Sequence, residues 1–257
     1  MGIDAQAASS EAGIGQFEIS LQHGDALRIA DDTWLFKTLL KGVARKHGYA
    51  ASFMAKPYPN DAGNGLHLHF SVLDEAGENI FDDGTKQGSP LLQNAVAGCL
   101  ATMRAATLGF APHANSYARM DPENHAPTSI CWGYENRTAA LRIPAGAPIA
   151  RRIEHRVAGG DINPFLTLSL ILGAALLGIE DDLTPPPPIT GNAYSQNLPQ
   201  LIHSWSDAID IFENDPMVAQ ILPAQLIENF SLTKRQELDG LKNIPQEEHW
   251  KTYLETV

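Results

Sequence analysis

The segment from Leu66 to Val72 constrains the fold more than any other, because its apolar and polar residues alternate strictly. A period of two residues is that of a β-strand with one buried face and one polar face. His67, His69 and Ser71 therefore share the polar face of this strand. Exposed strand faces ordinarily carry lysine, threonine and glutamate. Two imidazoles on one face therefore indicate a face that lines a functional site.

Three further segments show the same alternation. A second strand places Glu18 on its polar face, and residues 152–156 place two arginines beside Glu154 on a third. Arg142 lies between two apolar residues near the end of a fourth. The pattern predicts a polar face that combines carboxylate, imidazole and guanidinium groups. We expect both glutamates and His67 to line one cavity together with the arginines.

Helices are expected on both sides of these strands. Asp25 is a preferred N-cap residue, Gly48 is a preferred stop, and the apolar positions from Leu27 to Val43 recur at helical spacing. A second helix is expected over residues 89–109, opened by a serine that precedes a proline. Residues 163–179 are apolar on nearly every side, which predicts a helix buried on all faces.

A proline tract divides the chain. The consecutive prolines from Pro185 to Pro188 cannot continue a helix or a central strand, so they mark an extended connector. The pattern is helical from there to the end. A chain of 257 residues is long enough for one large domain. We expect its main part over residues 1–184 and a helical C-terminal part of the same domain over residues 185–257.

Composition excludes several classes of partner. The chain carries 18 Lys and Arg against 30 Asp and Glu, a net charge of −12, which disfavours nucleic acid and anionic membranes. Its longest apolar stretch is shorter than the about 20 residues that span a bilayer. Cys99 and Cys131 do not make a disulfide framework and are expected to be reduced. We expect a cytoplasmic protein with no membrane or nucleic-acid partner.

Arginine replaces lysine in the middle of the chain. No lysine occurs between Lys86 and Lys234, whereas a set of arginines falls between residues 119 and 156. The guanidinium group is always charged and binds phosphate and carboxylate through two parallel hydrogen bonds. Surface salt bridges are the alternative interpretation. The set comprises Arg119, Arg137, Arg142, Arg151, Arg152 and Arg156.

Four side chains are candidates for a cation site: Glu11, Glu18, His67 and Glu154. Oxygen ligands with one imidazole suit Mg²⁺ or Mn²⁺ better than Zn²⁺. A cation together with arginines on one polar face is what phosphoryl transfer needs, because both neutralise the charge on the moving group. These residues by themselves indicate an ATP- and metal-dependent transferase or ligase, although their spacing forms no compact metal motif.

Seven motifs, in order and in spacing, resemble the catalytic domain of glutamine synthetase. The resemblance extends over most of the chain before the proline tract and covers the helical tail only loosely. It implies an α+β fold, an incomplete antiparallel β-barrel whose polar inner face is the active site and which packs against helices. The motifs are QFEISLQHGDAL (16–27), FMAKP (53–57), GNGLHLHFS (63–71), NSYARM (115–120), NRTAALRIP (136–144), RRIEHR (151–156) and NPFLTLSLILGAALLGI (163–179).

The resemblance implies a role for each matching residue, with ATP and Mg²⁺ or Mn²⁺ as cofactors. Glu11 and Glu18 match carboxylates that hold the metal nearer the substrate glutamate, and His67 and Glu154 match ligands of the metal that bridges the nucleotide phosphates. The positions that match ATP-binding residues are His69, Ser71, Arg137, Arg142 and Arg152. The positions that match catalytic residues are Arg119, Arg137, Arg142, Arg156 and His125. The positions that match glutamate-binding residues are Ala62, Gly63, Arg119 and Arg156.

Three departures from the family pattern matter, one of which is Ile149 at a position where many bacterial members have a lysine near ATP. The family supplies a Glu-x-Glu metal-binding pair and a small N-terminal β-grasp domain from an upstream segment, and this sequence contains neither. We therefore expect residues 1–184 to lack the start of the barrel, and the chain alone to be inactive. His125 stands at the flap position before Ala126, where ammonia-using members usually have glutamate. The sequences of residues 16–25 and 132–138 resemble those of the branch that makes γ-glutamyl conjugates of polyamines or other amines.

The function implied is an ATP-dependent ligase with glutamate and an amine or ammonia as substrates. ATP phosphorylates the γ-carboxylate of glutamate, and the amine then displaces phosphate. The intact parent is expected to be a homo-oligomer. Two alternatives stay open. One is a non-enzymatic fragment that keeps the fold and assembly. The other is a guanidino kinase, which would need a reactive cysteine near an acidic residue. Cys131, beside Trp132, does not suggest such a cysteine.

Overall fold

The computed structural model describes residues 2–257. Its strands are β1 (Ala5–Ser10), β2 (Phe17–Leu21), β3 (Leu68–Phe70), β4 (Trp132–Tyr134), β5 (Leu141–Ile143) and β6 (Ile153–His155). β1 and β2 form one antiparallel sheet, and the other four strands form a second sheet in the order β3-β6-β5-β4. Within the second sheet β4 and β5 are parallel, and the remaining pairs are antiparallel.

Helices surround these sheets. They are α1 (Ala26–Lys46), α2 (Pro90–Met103), α3 (Thr107–Phe110), α4 (Ala114–Arg119), α5 (Pro164–Glu180), α6 (Trp205–Asn214), α7 (Pro216–Ile221), α8 (Ala224–Leu241) and α9 (Trp250–Tyr253). Helices and small sheets packed in one body confirm the predicted α+β class. No helix in the described part of the chain is both long enough and apolar enough to cross a bilayer.

The alternation that predicted the first strand is present, although the strand is short. Leu68 and Phe70 are half-buried, whereas His67 and His69 lie on the more exposed face. Only Leu68–Phe70 pairs as regular strand, with β6 as its partner. The pairing places His69 opposite Glu154, and β5 places Arg142 opposite the same glutamate.

The core lies between α5 and α2. Leu170 and Ile171 of α5 are fully buried, as its apolar sequence predicts. The prediction that α5 is buried on all faces is wrong at Leu176, which is 53% exposed. The predicted second helix is interrupted as well, because α2 ends at Met103 and a separate short α3 follows it.

Helix α1 begins where the sequence predicts, but it presents the other side to the core. The Asp25 side chain accepts hydrogen bonds from the backbone amides of Leu27 and Arg28 and so caps the helix. Its apolar stripe points outward, with Trp34 51% and Val43 44% exposed. The less exposed positions of α1 are Ala30, Thr33, Lys37 and Leu40, which recur at helical spacing along the side that faces the core.

The proline connector is anchored to the second sheet. The Trp132 indole donates a hydrogen bond of 2.7 Å to the carbonyl oxygen of Pro186. The chain downstream is helical, as predicted, and Phe212 of α6 packs edge-on against Phe230 of α8. Both cysteines are free and buried, which agrees with the prediction of reduced thiols.

Candidate active site

Glu154 is the centre of a charged cluster on the four-stranded sheet. It is 2% exposed, and its two carboxylate oxygens accept hydrogen bonds from different arginines. Arg156 donates to Oε1 at 2.6 Å, and Arg142 donates to Oε2 at 2.8 Å. Burial by itself would raise the pKa of Glu154, but the charge of Arg156 and the hydrogen bond from Arg142 outweigh it and hold this pKa below its usual value. The carboxylate is therefore ionised at neutral pH.

Two histidines face the same carboxylate. His67 Nδ1 lies 3.6 Å from Glu154 Oε1, and His69 Nε2 lies 4.0 Å from it. Burial, and then the positive charges of Arg156 and Arg119, lower the pKa of His67 well below its usual value. Burial also lowers the pKa of His69. Both imidazoles are neutral at pH 7, which is the form that binds a metal or accepts a hydrogen bond.

The predicted cation ligands come together only in part. His67 and Glu154 line one site with Arg142 and Arg156, as predicted from strand alternation. Glu18 is exposed on β2 and makes no hydrogen bond or ion pair with that pair within residues 2–257. No group of three or more His, Cys, Asp or Glu side chains in these residues has the arrangement of a metal site.

Glu11 lies in the loop that joins β1 to β2, which we call the β1–β2 loop (residues 11–16). This loop rests on the segment that carries the predicted glutamate-binding positions. The Ile14 amide donates to Asp61 Oδ2 at 2.8 Å, and the Gln16 side chain donates to the carbonyl oxygen of Gly63 at 3.0 Å. The loop that carries Glu11 is thus attached to the segment predicted to bind glutamate rather than to Glu154.

Arg119 sits beneath that segment at the end of α4 and is 4% exposed. Its guanidinium donates to the carbonyl oxygens of Val157 at 2.7 Å and Arg156 at 3.3 Å. A Cβ atom at Gly63 would lie 2.9 Å from Arg119 Cγ, so this close approach requires glycine. The structure therefore brings Gly63 together with Arg119, and Arg119 contacts Arg156 through the Arg156 backbone carbonyl.

The remaining predicted nucleotide-binding residues lie around the rim. Arg152 donates from Nε to His69 Nδ1 at 3.1 Å. Ser71 is exposed just after β3, and Arg137 is exposed on the turn between β4 and β5. Neither of these two side chains forms a hydrogen bond within the described residues, so their predicted roles stay predictions.

His125 belongs to the flap loop, which we define as residues 121–126. It follows a short 3₁₀ turn, Pro122–Asn124, and adopts a left-handed conformation with φ +55°. Its side chain is exposed, while the Asn124 side chain donates to the carbonyl oxygens of Ala118 and Arg119 at 3.3 Å each. The flap loop is therefore attached to the backbone beside Arg119.

Sequence reasoning missed two residues that support the cluster. Glu135 accepts a hydrogen bond of 3.2 Å from Arg142 Nη2, so Arg142 bridges two carboxylates. Lys56 is 9% exposed and donates to the flap loop through Asn124. Both lie in or beside motifs already singled out. The Lys56 contact joins segments that are distant in sequence, whereas the Glu135 contact links the turn after β4 to β5.

Comparison with known proteins agrees with this geometry. γ-Glutamylputrescine synthetase of Escherichia coli strain K12 is 39% identical over 92% of this chain and 50% of its own length. Glutamate–isopropylamine ligase of a Pseudomonas species is 35% identical over 100% of the chain and 57% of its own length. Glutamine synthetase of Thermus thermophilus is 33% identical, again over 100% of the chain and 59% of its own length.

A solved structure described as "Apo GmaS without ligand" superposes with a TM-score of 0.86 at 33% identity, over 98% of this chain and 59% of that one. The chain thus spans 50–59% of the length of these relatives. The family described as "Glutamine synthetase, catalytic domain" matches residues 1–253. The strand register, the arginine cluster and these matches agree, and the chain belongs to the glutamine synthetase family.

Proposed function

We propose that this chain is the catalytic part of an ATP-dependent ligase that joins the γ-carboxylate of glutamate to an amine. The observation that carries the proposal is the buried Glu154, which holds Arg142 and Arg156 beside two neutral histidines. The relatives support the reaction class, since their names describe synthetases and ligases of glutamate or of γ-glutamyl amides. Cytoplasmic location and homo-oligomeric assembly stay predictions.

The arginines suit a two-step reaction. A carboxylate is a poor electrophile until its oxygen is converted into a leaving group, and phosphorylation by ATP does this. Arg137 and Arg142 would neutralise the charge on the phosphoryl group in transit, since guanidinium groups bind such oxygens in pairs. Arg119 and Arg156 would hold the glutamate carboxylate beside Gly63. An amine then attacks the acyl phosphate, and inorganic phosphate leaves.

The described residues fit a divalent cation only in part. His67 and Glu154 would hold Mg²⁺ or Mn²⁺, because the imidazole is neutral and the carboxylate is ionised. Such a cation would supply charge neutralisation for the transferred phosphoryl group. Glu11 and Glu18 form no metal-type group with this pair among the described residues, so we propose that further carboxylate ligands complete the site.

A chimera tests the reaction. The upstream half of the E. coli γ-glutamylputrescine synthetase is joined to this chain, and phosphate release is measured with ATP, glutamate and putrescine. We expect turnover, and we expect Arg142→Lys to lower it by about 10²-fold because lysine cannot bridge two oxygens. Arg104→Lys, at an exposed arginine, is the control. A chimera that binds ATP yet releases no phosphate would favour the non-enzymatic alternative.

The flap loop suggests which amine is used. A glutamate at this position would offer fixed negative charge to ammonium, whereas an imidazole side chain such as that of His125 carries no negative charge. An alkylamine gains affinity by burying methylene groups, at about 0.8 kcal/mol for each CH₂. We propose that a primary alkylamine or polyamine is preferred over ammonia. Glu123, also exposed in the flap loop, is the competing source of negative charge.

The same chimera tests this choice with ammonia, methylamine, ethylamine and putrescine. His125→Glu should raise kcat/KM for ammonia relative to putrescine by about tenfold, a change of about 1.4 kcal/mol. His203→Glu adds the same charge at an exposed site before α6 and should leave the ratio unchanged. A wild-type kcat/KM for ammonia above that of every alkylamine would refute the proposed preference.

A further inference from the structure

Lys56 has a buried ammonium group with an unusual pair of partners. The residue is 9% exposed, and Nζ donates hydrogen bonds to the carbonyl oxygen of Asp61 and to Asn124 Oδ1. No carboxylate within the described chain lies at ion-pair distance from it. A buried charge is costly unless it is hydrogen-bonded, so both acceptors are needed to hold this ammonium in place.

The backbone of Lys56 is itself fixed. Its amide donates to Asn115 Oδ1 at 2.8 Å, and the Asn115 side chain donates back to the Lys56 carbonyl oxygen at 2.9 Å. The neighbouring Ala55 carbonyl accepts from the Asn64 amide at 2.7 Å. The ammonium therefore extends from a rigid base, and its two contacts constrain the loops that provide the acceptors.

Asp61, whose carbonyl oxygen is the first acceptor, also contacts the β1–β2 loop. The Asp61 carboxylate accepts from the Ile14 amide and from the Ala62 amide, both at 2.8 Å. Backbone hydrogen bonding and the charge of Lys56 lower the pKa of this carboxyl group, so it remains an acceptor at neutral pH. The loop that carries Glu11 is thereby held through Asp61.

Asn124, whose side-chain oxygen is the second acceptor, belongs to the flap loop. Asn124 uses its oxygen for Lys56 and its amide nitrogen for the carbonyl oxygens of Ala118 and Arg119. The next residue is His125, in its left-handed conformation. Within residues 2–257 no hydrogen bond runs directly between the β1–β2 loop and the flap loop. The path through Lys56 joins them by hydrogen bonds, beside a packing contact at Gly63, which accepts from Gln16 and lies next to Asn124.

We propose that Lys56 is a positioning residue that couples the β1–β2 loop to the flap loop. Its meaning for catalysis rests on the proposed function, because one loop carries the candidate metal ligand and the other the candidate amine-binding residue. The coupling itself needs no substrate. The proposed coupling predicts that a change that raises amide hydrogen exchange in one loop also raises it in the other.

Hydrogen exchange of the 257-residue chain tests the coupling without ATP or glutamate. Lys56→Met keeps the length of the apolar stem and removes the donors. We expect amide exchange to rise roughly tenfold in peptides covering residues 11–18 and 119–127, as for the loss of one local hydrogen bond. Peptides covering α2 and α5 should be unchanged. Lys86→Met, at an exposed lysine, should change neither loop.

A rise in only one loop, in neither loop, or equally throughout the chain would overturn the proposal. If Lys56→Met does not fold, Asn124→Ala serves instead, because it removes the flap-side acceptor and leaves the lysine in place. The β1–β2 loop should then exchange faster although the substitution lies in the flap loop, and an unchanged β1–β2 loop would overturn the coupling. An intact coupling in a chain whose chimera shows no turnover would reject the proposed function alone.

Discussion

Lys37 on α1 has a largely buried side chain, and burial disfavours its charged form. Its ammonium donates to the carbonyl oxygens of Gly160 at 2.9 Å and Ile162 at 3.4 Å. Burial lowers its pKa to about 8, and the Asp161 carboxylate compensates only in part. An unfolded lysine has a pKa of about 10.4, so between these values the unfolded chain binds more protons than the folded chain. Stability should therefore rise with pH across this window.

Lys37→Met separates this effect from other titrations. We expect the free energy of unfolding of the wild type, relative to the variant, to increase by about 2 kcal/mol between pH 7 and pH 9.5. Urea unfolding at the two pH values measures the difference. Parallel pH curves for the two proteins would mean that the Lys37 ammonium keeps an ordinary pKa in the folded state.

Strand alternation in the sequence is enough to predict which residues of the site share a face of the sheet. The period of two places His67 and Glu154 on one face, and antiparallel pairing then brings them within 3.6 Å. Arg119 could be singled out by motif only, because its burial depends on α4 packing under the Gly63 segment. The coupling residue Lys56 gave no signal, since its acceptors lie in two loops whose approach no local pattern encodes.

At the scale of elements, the crossing of α2 and α5 leaves no room for side chains. A Cβ atom at Gly98 would lie 2.0 Å from the Ala174 carbonyl oxygen, and one at Gly178 would lie 2.2 Å from the Asn94 carbonyl oxygen. Both obstacles are helix backbone, which cannot move aside cheaply. The two helices therefore approach through a pair of glycines.

Gly98→Ala should destabilise the fold by about 2–4 kcal/mol, because the helices must separate to admit one methyl group. Gly42→Ala on α1 is the matched control, since a Cβ atom there meets nothing within 4 Å. That substitution should stabilise by about 0.5–1 kcal/mol through helix propensity. Urea unfolding of both variants checks the contrast. Equal effects of the two substitutions would show that the crossing is looser than the structure indicates.

In helix α1, the periodicity of apolar residues does not determine which face is buried. The spacing of apolar residues predicted α1 and its Asp25 cap, but the stripe containing Trp34 faces outward. Periodicity locates an apolar face, whereas the neighbouring elements decide whether that face is covered. No part of residues 2–257 buries this stripe, and the relatives are longer than this chain.

For the whole molecule, the question is whether these 257 residues suffice for turnover. They contain both arginine pairs and the neutral histidines, but His67 and Glu154 stand without a third cation ligand in the described chain. Losing charge stabilisers of this kind costs on the order of 10²- to 10³-fold in rate.

We therefore expect the chain alone to release phosphate from ATP and glutamate far below the about 1 s⁻¹ of an ordinary enzyme. The chimera with the upstream half of the E. coli relative is the positive control, assayed at the same concentration. Nucleotide binding by the isolated chain, measured by calorimetry, separates a folded but incomplete site from a misfolded one. Turnover of the isolated chain at or above about 1 s⁻¹ would refute the prediction, because the cation site would then be complete within these residues.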